Sequence, residues 1–186
     1  MRTATVVAVE DYFKALEESE TKLEYHNGKI VAMVGFTLPH IYIHSNFFML
    51  GKCLREKGCS ILGSNLLVKG GSGNNYYFPD LVIVCQKEEY EKSKTGLEAL
   101  LNPEVIIEIL SPGTHLFDRT DKLDCYKTIP SFREYVLVSS TKKQVEVLTK
   151  LSDAEWLSHT YFEKDKSLKI NGCEIEFEEI YQKVDF

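Results

Sequence analysis

Two short apolar runs constrain this chain more than anything else in it. One is YYFPDLVIVC (76–85) and the other is PEVIIEILS (103–111). Both are rich in β-branched and aromatic residues, and continuous runs of this length belong to strands buried on both faces. Yet each carries a carboxylate among its apolar residues, Asp80 in the first and Glu108, inside Val105–Leu110, in the second. A lone carboxylate is expensive to bury, so a buried acid is paired, protonated or bound to metal. If the strands are neighbours, both acids face one spot and repel each other unless a cation lies between them. An all-oxygen set suits Mg2+, with Mn2+ as a substitute. The competing reading is a pair of solvated strand-end acids bonded to loop amides. Pro79 has no N–H and fits poorly in a central ladder. A bulge or a late strand start is therefore expected, turning Asp80 toward an open edge.

The flanking pattern builds a frame for these strands. EDYFKALEESE (10–20) predicts a short helix. KLEYHNGKIVAM (22–33) predicts a hairpin, with Asn27-Gly28 supplying positive φ at the turn. Residues 39–57 predict one helix, because Ile43, Phe47, Leu50 and Cys53/Leu54 recur at helical period. SILGSNLLVKG (60–70) predicts one strand and GSGNN (71–75) a loop rich in turn formers. The charged stretch 86–102 is expected to be a loop with some helix. Ser-Pro-Gly breaks the chain after 103–111, a helix follows over 117–127, and EYVLVS predicts another strand. The tail reads as antiparallel strands, with Asn171-Gly172 a second tight turn. The fold class is α/β (α+β), a mixed sheet flanked by helices in αβββαβ order.

Composition narrows the function classes. The 186 residues suit one domain, 1–186. Net charge is −6, unlike a general nucleic-acid coat protein, but a nuclease needs only a local basic groove. Candidate phosphate contacts are Lys52, Arg55, Lys57, Lys69, Arg119 and Lys127. No run approaches the roughly eighteen apolar residues of a membrane helix. The N-terminus reads as part of the fold, which points to the cytoplasm. The five cysteines show no Cys-x-x-Cys spacing and are expected to be reduced, buried thiols.

In FDRTDKLDCYK, Asp118 and Lys122 lie four apart and share a helix face. They are either a surface ion pair or a lysine aimed at Asp80 and Glu108. His40 and His44 have a spacing that can bind zinc, but H-E-x-x-H is absent. They either pack and hydrogen-bond or ligate. The loop 70–74 lacks the ending of a phosphate-binding P-loop. Ser111 is not in a nucleophile elbow. Tyr76 and Tyr77 are either core or base-stacking residues.

LEYHNGKIVAM, PHIYIHSN, YFPDLVIV and EVIIEILSPGTHLFDRTDKLDCYKTIPSFREYVLV, in that order over roughly 23–148, resemble the PD-(D/E)XK nuclease superfamily. Within it the chain is most similar to the Uma-type restriction endonuclease family. The resemblance implies a restriction-endonuclease-like core and a Mg-dependent DNA endonuclease, with DNA as partner and a homodimer by analogy. It implies that Asp80, Glu108 and the Ile109 carbonyl hold the metal. The superfamily lysine would stand at position 110, where this chain has Leu110; in the Uma-type pattern Lys122 is the matching residue. Glu24, His40 and Asp118 match accessory positions. Glu24 is either an accessory ligand or a residue paired across the hairpin. A nuclease fold that binds DNA or a partner without turnover is the alternative.

Overall fold

The computed structural model describes residues 6–33, 35–111, 113 and 115–186. Pro112 and Thr114, part of the expected chain break and of the Uma-type pattern, lie outside the described residues. Helix α1 (Val9–Glu18) buries Tyr12 and Phe13 against a hairpin of β1 (Leu23–His26) and β2 (Lys29–Ala32). At the turn Asn27 and Gly28 have φ of 48° and 79°, as a two-residue turn of the primed type requires.

Thr37 caps α2 (Leu38–Leu50), its hydroxyl accepting the His40 N–H, with Pro39 in the first turn. The single helix expected over 39–57 is divided. α2 gives way at Gly51 to α3 (Lys52–Glu56), and a Cβ at Gly51 would lie 2.0 Å from the Ile61 side chain. Ile43, Phe47 and Leu54 are buried along the expected stripe.

The following strands are β3 (Ser60–Gly63), β4 (Leu67–Gly70), β5 (Asn75–Tyr77), β6 (Leu81–Val84), β7 (Tyr90–Lys92), β8 (Glu98–Leu100) and β9 (Val105–Leu110). Next come α4 (His115–Phe117), a π-helical segment (Asp118–Lys122) and α5 (Leu123–Lys127). β10 (Glu134–Ser139), β11 (Gln144–Ser152), β12 (Glu155–Phe162), β13 (Ser167–Ile170), β14 (Cys173–Glu176) and α6 (Phe177–Ile180) complete the chain.

Two six-stranded sheets result. The central one has the order β12-β11-β10-β9-β6-β3. β3, β6 and β9 pair antiparallel, and β9 and β10 run parallel. Its strands, with the helices before β3 and before β10, trace the αβββαβ core. The second sheet, β2-β1-β5-β4-β8-β7, gathers the N-terminal hairpin and strands inserted between core strands.

That insertion corrects three expectations. Residues 60–70 are two strands in different sheets, separated by a turn in which the Leu66 N–H reaches the Gly63 carbonyl. Residues 76–85 are likewise divided: β5 ends at Tyr77 in the second sheet, and β6 begins at Leu81 in the central one. Pro79 lies in the crossing, where no ladder needs its missing N–H. The stretch 86–102 contains the β7–β8 hairpin and no helix.

Alternation sorts the central sheet's residues. Leu81, Ile83, Ile107, Ile109 and Val136 face α2 and the C-terminal strands. Val82, Ile106, Leu110, Tyr135 and Leu137 face Tyr126, Ile129 and Phe132. Each fully buried aliphatic side chain contributes about 1.5–3 kcal/mol, so both faces are dry. Glu108, by parity, points to the second face.

The expectation of reduced thiols is also corrected. Cys53 bonds Cys173, and Cys59 bonds Cys85, leaving Cys125 free. Cys59 and Cys85 lie one register step beyond the Ser60–Val84 pair, so the antiparallel ladder itself places them opposite each other. The β13–β14 hairpin packs on α3 and brings Cys173 to Cys53.

Candidate active site

The crossing between the two sheets makes the site. Asp80 immediately precedes β6, and the register Leu81–Ile107 continued by one step sets it beside Glu108. Its carboxylate is fixed on both oxygens: the Ile109 N–H donates to Oδ2 at 2.7 Å, and His40 Nε2 lies 3.0 Å from Oδ1. The His44 ring N–H donates to the Asp80 carbonyl at 3.1 Å. His40 and His44 thus sit one turn apart on α2, one holding the Asp80 side chain and the other its backbone. Both act by hydrogen bonding here. Phe36 stacks on the His40 ring at 4.2 Å and stiffens it further.

Lys122 is the second centre. It is 4% exposed, so the reading of Asp118 and Lys122 as a surface pair is corrected: the helix that carries them packs across the sheet, and both are buried. Lys122 Nζ lies 3.0 Å from Glu24 Oε1, 3.2 Å from Asp118 Oδ1 and 3.4 Å from Glu108 Oε1. The rings of Tyr77 and Phe117 lie below 6 Å from the ammonium, at 5.6 and 5.8 Å. Local π-helical winding over Asp118–Lys122 places this lysine, and such segments recur at functional sites.

Glu24 sits opposite Val31 in the β1–β2 hairpin, and its side chain turns to the site. Its Oε1 accepts the Phe78 N–H at 3.0 Å as well as meeting Lys122, so β1 of the second sheet clamps the crossing strand. Glu108 takes a weak contact from the Tyr126 hydroxyl at 3.5 Å. Burial pushes its carboxyl well above the usual carboxylate range; Lys122 pulls it back, while Asp118, Asp80 and Glu24 add to the rise. Burial also opposes the charge on Lys122, but Glu108, Glu24 and Asp118 outweigh it and raise its pKa above the ordinary lysine value. The ammonium therefore stays charged.

These side chains line a cavity of about 380 Å³, together with Ile109 and Ser111. Asp80, Glu108, Lys122, Ile109, Glu24, His40 and Asp118 are all brought together there. Four carboxylates and one lysine line this cavity, an excess of acids that a hard cation with oxygen ligands would offset. The donor chemistry thus fits Mg2+ or Mn2+ at Asp80, Glu108 and the Ile109 carbonyl. Among the described residues no three His, Cys, Asp or Glu side chains form a ready-made cage, and Lys122 supplies the positive charge that the acids share.

Two neighbours carry no signal in the sequence. Lys22 donates to the Ser64 carbonyl at 2.6 Å and lies over Phe36 and Phe78; burial lowers its pKa, against the pull of Asp80 and Glu24. Tyr126 reads as an ordinary core aromatic. Tyr76 and Tyr77 are buried, as core residues. Of the cations named from the sequence, Lys52 meets Glu56, Arg55 the Phe48 carbonyl, Lys57 the Asn171 carbonyl and Lys69 Glu91, while Lys127 lies over Trp156. None of these lines the acid-rich cavity.

Similarity to known proteins agrees with this architecture. An uncharacterized protein of Synechocystis sp., slr1290, is 30% identical over 179 residues, spanning 95% of this chain and 92% of its own. A second uncharacterized protein of that organism, sll1609, is 25% identical over 156 residues, 83% of this chain and 87% of its own. The crystal structure of "a putative nuclease belonging to DUF820" from Anabaena variabilis superposes with a TM-score of 0.70 at 19% identity, covering 93% of this chain and 97% of that one. At that identity the likeness speaks for the fold, which is the restriction-endonuclease-like one. The family model described as "Putative restriction endonuclease", Uma2, matches residues 9–180, and the chain belongs to the Uma2 family.

Proposed function

We propose that the chain is a Mg2+-dependent DNA endonuclease that hydrolyses phosphodiester bonds, acting as one domain over 1–186. The observation that carries this reading is the meeting of Asp80, Glu108 and Lys122 in one cavity with Glu24, Asp118 and His40 around them. Asp80 and Glu108, with the Ile109 carbonyl, would hold the metal. A bound divalent cation supplies neutralisation at the phosphate and acidifies the attacking water. The chain's own residues do the rest. His40 and the Ile109 N–H hold the Asp80 carboxylate in one orientation. Glu24 and Asp118 keep Lys122 charged and placed, so that it can stabilise charge developing on the phosphate. Phe36 and Phe117 supply apolar parts of the cavity wall.

Supercoiled plasmid with Mg2+ or Mn2+ tests the reading. Nicking is expected from the wild type, with a loss of at least about a hundredfold in Asp80→Ala and complete loss in EDTA. A well-folded wild type that never nicks, across both metals and varied sequence, overturns it.

One observation favours a second reading, a nuclease fold that binds without turnover. Leu110 stands where the superfamily lysine would, and Lys122 already satisfies three acids. Saturable DNA binding with no cleavage would select that reading. A homodimer follows by analogy with nucleases that cut both strands, and sedimentation reads it directly. Cytoplasmic placement belongs to the same proposal. Fractionation of cells that make the chain tests it, the chain being expected in the cytoplasmic fraction; an exported chain overturns it.

A further inference from the structure

A second cavity, of about 400 Å³, adjoins the first, and Ser111 lines both. It lies over the carboxyl ends of the parallel strands β9 and β10, a place where open sheets admit ligands. Arg119 enters its wall from the π-helical segment, and Ser139, Thr141 and Lys142 from the end of β10 and the turn after it. Among the described residues no carboxylate lines it. The two cavities therefore have opposite chemistry, and the same short segment supplies a cation to each: Lys122 to the acid-rich one and Arg119 to this one.

The donors here are set in place. Arg119 is anchored by Glu146 of β11, whose other oxygen accepts the Ser158 hydroxyl at 2.7 Å. A guanidinium has five N–H donors, so this anchor leaves others for a ligand. Ser139 and Thr141 hydroxyls lie 3.2 Å apart, and the Thr141 N–H donates to Ser139, which bends the chain around the opening. Among the described residues Lys142 has no ion-pair or hydrogen-bond partner. Its neighbour Lys143, by contrast, is held by Glu163 and Glu178.

Two cations with hydroxyl donors and no acid suit a tetrahedral oxyanion. We infer that this cavity takes a non-scissile phosphate of a nucleic-acid strand whose neighbouring phosphodiester lies in the acid-rich cavity. The inference rests on the endonuclease reading for what occupies the first cavity. It assigns Arg119 and Lys142, with the Ser139 and Thr141 hydroxyls, to substrate binding. The subsite gives the strand a hold that does not depend on the metal, which an acidic catalytic cavity cannot provide.

Anisotropy of a labelled DNA duplex, titrated with the full chain in EDTA over a range of salt, tests it. Lys142→Ala and Arg119→Gln are each expected to weaken binding about tenfold at low salt and to lower the log–log salt slope by about one. Lys14→Ala, on the exposed α1 pair with Asp11, is expected to change neither. Lys142 is exposed, so its variant folds and decides the matter even if loss of the Arg119–Glu146 pair disturbs the other. Unchanged affinity and slope in Lys142→Ala overturn the subsite, and wild-type cleavage in the same preparation would leave the endonuclease reading standing. Weakened binding in the variants of a wild type that never cleaves keeps the subsite and overturns the endonuclease. Inorganic phosphate that binds the wild type while the duplex does not would mark a free-anion site and overturn the subsite, as would no duplex binding at low salt.

Discussion

Lys122 shows how a single residue can hold a site together. It is the shared counter-charge of Glu24, Glu108 and Asp118, all buried with it. Removing one partner of a buried ionic group leaves the others uncompensated, at about 3–5 kcal/mol. Lys122→Met is expected to lose that much in urea unfolding. Mn2+ is expected to restore part of it, since another cation can then meet the same carboxylates. Lys122→Arg is not a conservative replacement, because a planar fork does not fit a position built around a point charge. Asp80 and Glu108 stood out in the sequence because their strands are so apolar, and their burial decides against the competing reading of solvated strand-end acids. Lys22 and Tyr126 were not, because nothing local distinguishes a lysine before a hairpin or a tyrosine on a helix. Only the packing brings them near the acids.

Elements differ in how plainly the sequence announces them. β9, β10 and the turns at Asn27-Gly28 and Asn171-Gly172 follow from composition and turn chemistry alone. The second sheet was missed because β5, β7 and β8 each have three residues, too few for a period to register. The disulfides were missed because Cys53 and Cys173 are 120 residues apart, and only the docking of the β13–β14 hairpin joins them. Closing so long a loop removes unfolded-state entropy worth about 4–5 kcal/mol in the chain-entropy model. Adding dithiothreitol is therefore expected to lower the melting temperature by several degrees, and Cys53→Ala/Cys173→Ala to reproduce much of the fall. Glu134, at the start of β10, ties that hairpin by accepting the Asn171 N–H at 2.7 Å. Burial raises its pKa, while this hydrogen bond and Lys57 lower it in part. A carboxyl raised in the folded state contributes stability present below its unfolded pKa and lost as pH rises through the folded one. Glu134→Gln keeps an acceptor and removes the charge, so it is expected to melt above wild type at pH 7, with the gap closing below about pH 4.

At the scale of the whole molecule, burial grades outward from the central sheet. β9 is buried along its length and β10 along its middle, whereas β2, β7 and β12 are edge strands with largely exposed side chains. Native-state hydrogen exchange should find β9 and β10 slowest and those three edges fastest; an edge that exchanges as slowly as β9 would mean it is covered in solution. No helix among the described residues is long and apolar enough to cross a membrane. The chain crosses between its two sheets at Phe78, Pro79 and Asp80, where Glu24 from one sheet grips the backbone and Ile109 from the other grips the carboxylate. This makes the molecule modular in a particular sense. Apart from Val68, Tyr77 and Leu100, which pack into the central sheet's core, the exposed parts of the second sheet's hairpins can change in length and surface while Asp80 and Glu108 keep their spacing. Glu24 is the charged link between the two sheets, beside the apolar contact of Val68, Tyr77 and Leu100 with the central one, and a graft of this outer sheet onto a related core would have to carry it along.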